Sequence, residues 1–350
     1  MPDDSNPNRP RILLVKLSSM GDVLHALPTL EALRLAFPQG HFTWLVESAY
    51  APLLAGHPAL DEVWKVPRLR LSQKVRRPEL VEMGRLIRQV RARDFDLVID
   101  LQGLLKSALW VALAPSPRKV GYRGTREGSY LVLTERVPPY DREAHAVWRY
   151  LNLAHYLGAP PTLPRFRLGL DAGAHLGQFI SEASSQPLVV LHPGARWSSK
   201  LWPAAEWARL AHWLGQDCGL QVILTGSAGD RNLAVQITAS TPAKIVNLVG
   251  KTSLAELTAI MRRASLAVTT DTGPMHLAAA LGTRVVALFG PTAPWRTGPF
   301  GSGHEILRLG LSCSPCFKRR CDQPRCLTEL TWETVKVACE KVLSPGDINC

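Results

Sequence analysis

The sequence predicts an α/β protein of two domains, each a parallel sheet covered by helices. Three observations carry this expectation. Short apolar runs of strand type alternate with helical patterns from Arg11 to Leu343, the alternation that gives parallel sheets buried on both faces. Several of those runs end in small or glycine-bearing loops just before a helix, where open sheets of this kind place ligands. The chain has 350 residues, 46% of them hydrophobic, which is a prior for two domains and enough apolar material for a core in each.

Arg11 to Leu17 is a near-continuous apolar strand, interrupted by Lys16, that runs into Ser18, Ser19, Met20, Gly21 and Asp22. Helical pattern follows through Phe37, and Pro28 inside it predicts either a kink or the true helix start there. Asp22 stands in a ligand-facing position, with helix N-cap as its structural alternative. Further strands are expected over His41 to Glu47, Glu62 to Val66 and Phe95 to Leu101. A helix near Ala49 to Ala55 and a basic helix from Pro78 to Ala92 lie between them. Gln102, Gly103 and Lys106 lead into a helix over Leu104 to Leu113. Asp94 and Asp96 spell Asp-x-Asp, but they precede or begin a strand, away from the ligand edge, and read as surface residues.

Lys119 to Tyr122 is a short strand. The Gly- and Arg-rich loop through Arg142 is longer than a connector needs, a feature of substrate-contacting loops. His145 to Leu157 reads as a helix and GAPPTLP, Gly158 to Pro164, as the linker. The expected domains are residues 10–160 and 161–343.

After a helical segment near Ala174 to Ser184, the strand Pro187 to His192 ends in PGARWSSKLWP. Trp207, Leu210, Ala211 and Leu214 mark a helix, and Leu220 to Leu224 a strand. The loop that follows contains Gly226 and Asp230: the glycine admits a nucleotide close to the backbone, and the carboxylate suits ribose hydroxyls. Lys200 would supply charge to a diphosphate. Leu266 to Pro291 repeats the pattern as strand, Asp271-Thr272-Gly273 turn, helix from Pro274 with His276 in its first turn, Gly282 stop and second strand. The free N–H groups and partial positive charge at that helix start suit a phosphate, beside the plainer role of Asp271 and Thr272 as caps. Asp-Thr-Gly also occurs in aspartic proteases, but one copy before a helix cannot supply their paired carboxylates. Thr331 to Leu343 closes the chain as an amphipathic helix.

The net charge of +12 favours acidic partners. Arg68 to Arg93 holds nine Lys or Arg against Glu79 and Glu82, read as a surface for membrane or lipid phosphates, with a solvated helix face as the alternative. Interleaved aromatics are missing there, so nucleic acid is not expected. No apolar run approaches the ~18 to 20 residues that span a bilayer, and the polar start is not a signal peptide, so a cytoplasmic protein is expected. The seven cysteines all lie in the second half, an odd count that argues for reduced thiols over a disulfide framework. Cys313, Cys316, Cys321 and Cys326, spaced C-x2-C-x4-C-x4-C, either hold zinc or are four reduced thiols.

Four stretches, VKLSSMGDVLHALP, DLVIDLQGLLKS, TTDTGPMHLAAALG and FGPTAPWRTGPFG, resemble motifs of the ADP-heptose lipopolysaccharide heptosyltransferases, glycosyltransferase family 9. The resemblance runs from about Ile12 to Leu343; the first motif is closest to the family's type I branch and the cysteine loop is more like type II. It implies a GT-B fold of two facing Rossmann-like domains with a cleft between them, and inverting transfer of heptose from ADP-heptose to the inner core, on Kdo-lipid A or heptosyl-Kdo-lipid A. It implies Asp22 as general base; Lys200, Gly226, Asp230, Asp271, Thr272, Gly273 and His276 as donor-binding residues; and Ser19, Arg68, Arg70, Gln102, Lys106 and Arg123 as acceptor-binding residues. No metal or other cofactor is expected, and the leaving nucleotide is to be stabilised by Lys200 and the N–H groups at Thr272 and Gly273. The expected partners are ADP-heptose, a Kdo-lipid A type acceptor and, peripherally, the anionic cytoplasmic face of the inner membrane. The alternatives are a family member using another nucleotide sugar for a surface glycan, or a non-catalytic nucleotide- or RNA-binding protein.

Overall fold

A computed structural model describes residues 9–67, 77–169 and 186–343. The chain divides into two compact units, Met1–Leu170 and Asp171–Cys350.

In the first unit the order is β1 (Arg11–Val15), α1 (Met20–Ala36), β2 (His41–Glu47), β3 (Glu62–Val66), α2 (Arg77–Arg91), β4 (Leu97–Asp100), α3 (Leu105–Leu113), β5 (Lys119–Tyr122), β6 (Glu135–Val137) and α4 (Ala146–Tyr156). The strands form one parallel sheet, β3-β2-β1-β4-β5-β6. One face packs under α2 and α3, where Leu86, Val90, Trp110 and Val111 meet Leu13, Val15 and Val98. α1 is apolar around most of its girth, as a helix covered on several sides must be. It runs unbroken through Pro28 from Met20, so the proline neither starts nor ends it. By contrast α2 is two-sided, burying Leu86 and Val90 while Arg85, Arg88 and Arg91 face solvent.

The second unit follows the same plan: β7 (Leu188–His192), α5 (Ala204–His212), β8 (Gln221–Leu224), α6 (Arg231–Ala239), β9 (Ile245–Asn247), α7 (Leu254–Arg263), β10 (Leu266–Thr270), α8 (Gly273–Ala280), β11 (Val285–Leu288), α9 (Pro294–Thr297), β12 (Glu305–Leu307), α10 (Arg325–Thr328) and α11 (Trp332–Val342). Its parallel sheet has the order β12-β11-β10-β7-β8-β9. Trp202 and Trp207 meet edge to face at 4.9 Å in its core, and the Trp202 indole donates to Leu330 O at 2.7 Å, tying the segment before α5 to the C-terminal segment.

Both sheets reverse direction of winding once, between β1 and β4 and between β7 and β10. These are the topological switch points where doubly wound sheets bind ligands.

Two expectations need correction. The segment Ala49 to Ala55 holds only a single 3-10 turn, Ala51–Leu53. The loop from Tyr122 to Arg142 is not continuous loop: it contains the 3-10 segment Arg126–Val132 and the edge strand β6. Among the described cysteines, Cys218 is disulfide-bonded, one bonded thiol rather than a framework, while Cys313, Cys316, Cys321, Cys326 and Cys339 are free. The helix expected over Ala174 to Ser184 lies outside the described residues. No described helix is long and apolar enough to cross a membrane.

Candidate active site

In the first unit the switch point is built from the ends of β1 and β4. Ser19 caps α1, and Asp22, one turn in, reaches back to it: the Ser19 N–H and hydroxyl donate to Asp22 Oδ2 at 3.1 and 2.9 Å. Asp22 is therefore the returning carboxylate of the first turn rather than the N-cap itself. Its other oxygen, Oδ1, accepts the Tyr150 hydroxyl of α4 at 3.0 Å, and the Lys16 ammonium stands 3.9 Å away. The Asp22 side chain still keeps 40% of its surface exposed, so it is crowded by protein on one side and open on the other. Burial pushes its carboxyl up, but Lys16, Ser19 and Tyr150 together outweigh that and hold it below the usual carboxylate range.

Gln102 spans the switch point, its Oε1 accepting the Leu17 and Ser18 N–H groups at 3.1 Å each. The turn it opens is shaped by buried Asp100, whose Oδ1 accepts from Gln102 N at 2.9 Å and Gly103 N at 3.0 Å. Burial raises the Asp100 carboxyl pKa despite those bonds. Gly103 has φ +65°, and a Cβ there would meet Thr125 Cγ2 at 2.8 Å, so only glycine fits. Lys106, on α3, donates to Ser18 Oγ and to Glu47 Oε1, the latter at 3.0 Å. Thus Ser19, Asp22, Gln102 and Lys106 converge on one edge. Arg123 follows β5 on the same edge of the sheet and is exposed. Arg68 and Arg70 lie outside the described residues.

In the second unit the corresponding edge joins the loops after β7 and β10. Lys200 donates to Asp271 Oδ2 at 2.6 Å and to Asp271 O at 3.2 Å; the pair is 15% and 6% exposed. Thr292, after β11, donates to the same Oδ2 at 2.7 Å. The Lys200 ammonium also lies 4.5 Å from the centre of the Trp197 ring. Across the switch, Thr270 Oγ1 donates to Gly194 O at 3.0 Å. Gly194 is a close approach: a Cβ there would lie 2.5 Å from the Asp230 carboxylate. Asp230 Oδ2 accepts from Ser227 N at 2.7 Å and Ser227 Oγ at 2.6 Å, and a Cβ on Gly226 would stand 3.2 Å from Asp230. Burial lowers the His192 pKa to about 4, with Asp230 acting the other way, so the imidazole against Thr225 is neutral. Thr272 is the N-cap of α8, Gly273 opens it and His276 is buried in its first turn.

The cysteine-bearing loop docks beside this edge through its main chain. Ser199 Oγ donates to Lys318 O at 2.6 Å, and Cys316 N and Phe317 N donate to Pro291 O at 3.0 and 2.8 Å. Cys313 and Cys321 are exposed and Cys326 is buried, and among the described residues no group of His, Cys, Asp or Glu is placed to hold a metal.

Lys16, Tyr150, Asp100, Thr292 and Trp197 were not singled out as site residues from sequence. Lys16 had a signal, a lysine within a strand otherwise apolar. Thr292 lay within the quoted stretch FGPTAPWRTGPFG without being picked out of it, and Tyr150 had no signal, since its relevance depends on which elements fold against which.

A family model for "Glycosyltransferase family 9 (heptosyltransferase)" matches residues 83–326. Lipopolysaccharide heptosyltransferase 1 of Pseudomonas aeruginosa is 34% identical over 356 aligned positions, covering 95% of this chain and 98% of that protein. Lipopolysaccharide heptosyltransferase 2 of Salmonella typhimurium is 30% identical, covering 85% and 88%. Among solved structures, the E. coli heptosyltransferase WaaC with ADP-2-deoxy-2-fluoro heptose superposes with a TM-score of 0.74 at 27% identity, over 95% of this chain and 99% of that one.

Proposed function

The chain belongs to glycosyltransferase family 9, the heptosyltransferases, and on that premise we propose that it moves a heptose from ADP-heptose onto the inner core of lipopolysaccharide. Its two doubly wound units are those of the GT-B fold. The observation that carries the site reading is the state of Asp22: a carboxylate surrounded by donors, ionised, and open on one side. In the proposed reaction Asp22 takes the proton from the acceptor hydroxyl as that oxygen bonds to the anomeric carbon. The bond from that carbon to the diphosphate oxygen breaks, its electrons leave with ADP, and attack from the opposite face inverts the centre. A positioned base contributes ~10²- to 10⁴-fold.

The second unit would hold the donor. Lys200 and the N–H groups opening α8 would receive the charge that develops on the diphosphate. Asp271 would bind heptose hydroxyls, Asp230 the ribose, and His276 the diphosphate side of the pocket; the bare glycines Gly194 and Gly226 let the Asp230 carboxylate lie close against the backbone there. The first unit would hold the acceptor, with Ser19, Gln102, Lys106 and Arg123 at the sheet edge; Arg68 and Arg70 would supply charge for Kdo carboxylates or lipid phosphates.

Peripheral membrane contact is part of the same proposal. The outer surface of α2 and α3 presents Leu80, Val81, Leu105 and Leu109 as exposed apolar side chains beside exposed Arg77, Arg85, Arg88 and Arg91. A face of that composition suits an anionic bilayer from which a lipid-anchored acceptor is drawn.

The test is mass spectrometry of Kdo-lipid A incubated with ADP-heptose, beside an Asp22→Ala control. One added heptose with the wild type alone is expected. Addition only to an acceptor that already bears heptose would move the acceptor to heptosyl-Kdo-lipid A, and equal addition by the control would remove Asp22 from the mechanism.

A further inference from the structure

The mechanism leaves a buried lysine beside Asp22 unused. Lys16, at the end of β1, is 1% exposed, although burying an ammonium is costly unless it is paired. Its Nζ donates to Leu101 O at 3.0 Å and to the Tyr150 hydroxyl at 2.6 Å. Tyr150 in turn donates to Asp22 Oδ1 at 3.0 Å. An ammonium has donors and no acceptor, so Tyr150 must accept from Lys16, and its single proton is left to point at Asp22.

Among the described residues, every group that bonds to the Asp22 carboxylate is thus a donor: Tyr150 on Oδ1, and the Ser19 N–H and hydroxyl on Oδ2. That arrangement is satisfied only by the ionised carboxylate. The chain of bonds ends inside the protein, at Leu101 O, so it offers no route to carry a proton away. The geometry points to Lys16 and Tyr150 as positioning residues that hold the catalytic carboxylate ionised and in one rotamer. This inference rests on the reading of Asp22 as the base.

Other charged groups surround the trio. Asp100 at the end of β4, Lys106 on α3 and Arg149 on α4 all act on Lys16; Arg149 and Tyr140 act on Tyr150. On the same two helices, His25 of α1 and His145, the N-cap of α4, meet edge to face at 5.2 Å. Burial lowers the Lys16 pKa while Asp22 and Asp100 act against it, and burial with the Asp22 charge raises Tyr150 well above its ordinary range. Tyr150 therefore remains a protonated donor through neutral pH.

The test is the pH dependence of kcat/KM for Tyr150→Phe and Lys16→Met, with Asp22→Asn in parallel and thermal melting of each. Both substitutions remove something that favours ionised Asp22, so the acid limb should move to higher pH in both, further in Lys16→Met. At neutral pH kcat should fall roughly 10- to 100-fold, the scale of a slightly misplaced catalytic group, with both KM values little changed. A melting temperature lowered with the acid limb unmoved would make the trio merely structural and overturn the inference. Tyr150→Phe keeps the ring and its packing, so it decides the matter alone if Lys16→Met does not fold. An inactive Asp22→Asn beside an unmoved limb in Tyr150→Phe refutes this inference only; an Asp22→Asn of wild-type activity refutes the base reading and this inference together.

Discussion

Lys200 and Asp271 join two loops at the switch point of the second sheet, and replacing Lys200 by Met should cost both stability and nucleotide affinity. The pair is 2.6 Å apart with little exposure on either side. Removing one partner of a buried ion pair typically costs about 3–5 kcal/mol, because the other charge is left uncompensated. Two features put this site at the lower end: Asp271 Oδ2 keeps its bond from Thr292, and Lys200 is partly open, so water can enter. We expect about 3 kcal/mol. At roughly 2–4 °C per kcal/mol for a unit of this size, the melting temperature should fall by about 6–12 °C. Asp271→Asn should cost less, since Lys200 retains Asp271 O and the Trp197 face. In the double variant the losses should fall short of their sum by about 1–2 kcal/mol, the coupling of residues in direct contact. Lys200→Met should also weaken ADP binding about tenfold or more, the loss of one charge-assisted hydrogen bond. Thermal melting of the four proteins of the cycle and calorimetric ADP titration measure these quantities. Additive losses within about 0.5 kcal/mol, with unchanged ADP affinity, would refute the argument that this pair organises the donor loops.

Two further outcomes follow from close contacts and charge. Gly194→Ala should raise the donor KM more than Gly226→Ala does, because a methyl group at Gly194 would lie 2.5 Å from the Asp230 carboxylate against 3.2 Å at Gly226; the order of the two KM values in steady-state kinetics checks it, and the reverse order would contradict it. Binding to anionic vesicles should weaken as salt rises, and changing Arg85 and Arg88, exposed on α2, to Gln should reduce it further while leaving turnover of a detergent-dispersed acceptor unchanged; sedimentation with vesicles reads this, and salt-independent binding would exclude the electrostatic part of the proposal.

Much of the architecture is legible in the residues because buried parallel strands are short apolar runs with little else in them. Arg11 to Val15 and Leu266 to Thr270 are wholly or almost wholly buried and could not be mistaken. The edge strands β6, β9 and β12 span three residues each, too few for any period to show, and their place is set by pairing with a neighbour. α7 was missed although Ser253 and Glu256 form a capping box at its start, a local signal the apolar pattern alone does not use. For the candidate site, the strand-end residues Asp22, Gln102, Lys200 and Asp271 could be proposed because the fold class itself says where ligands bind. Tyr150 comes from 128 residues along the chain and Thr292 from the loop after β11, and only packing brings them within 3.0 Å of those carboxylates.

At each switch point a side chain bonds across the gap where two strands part, Gln102 to the Leu17 and Ser18 N–H groups and Thr270 to Gly194 O. These ties are internal to the protein and complete without any ligand. An incoming substrate would meet loops whose entropy has already been given up during folding, so more of its contact energy remains for affinity and for the transition state. Rigid crevice floors of this kind also confine adaptation to the outer loop residues: new acceptors would be gained by changing what stands around the rim, while the wiring beneath stays the same.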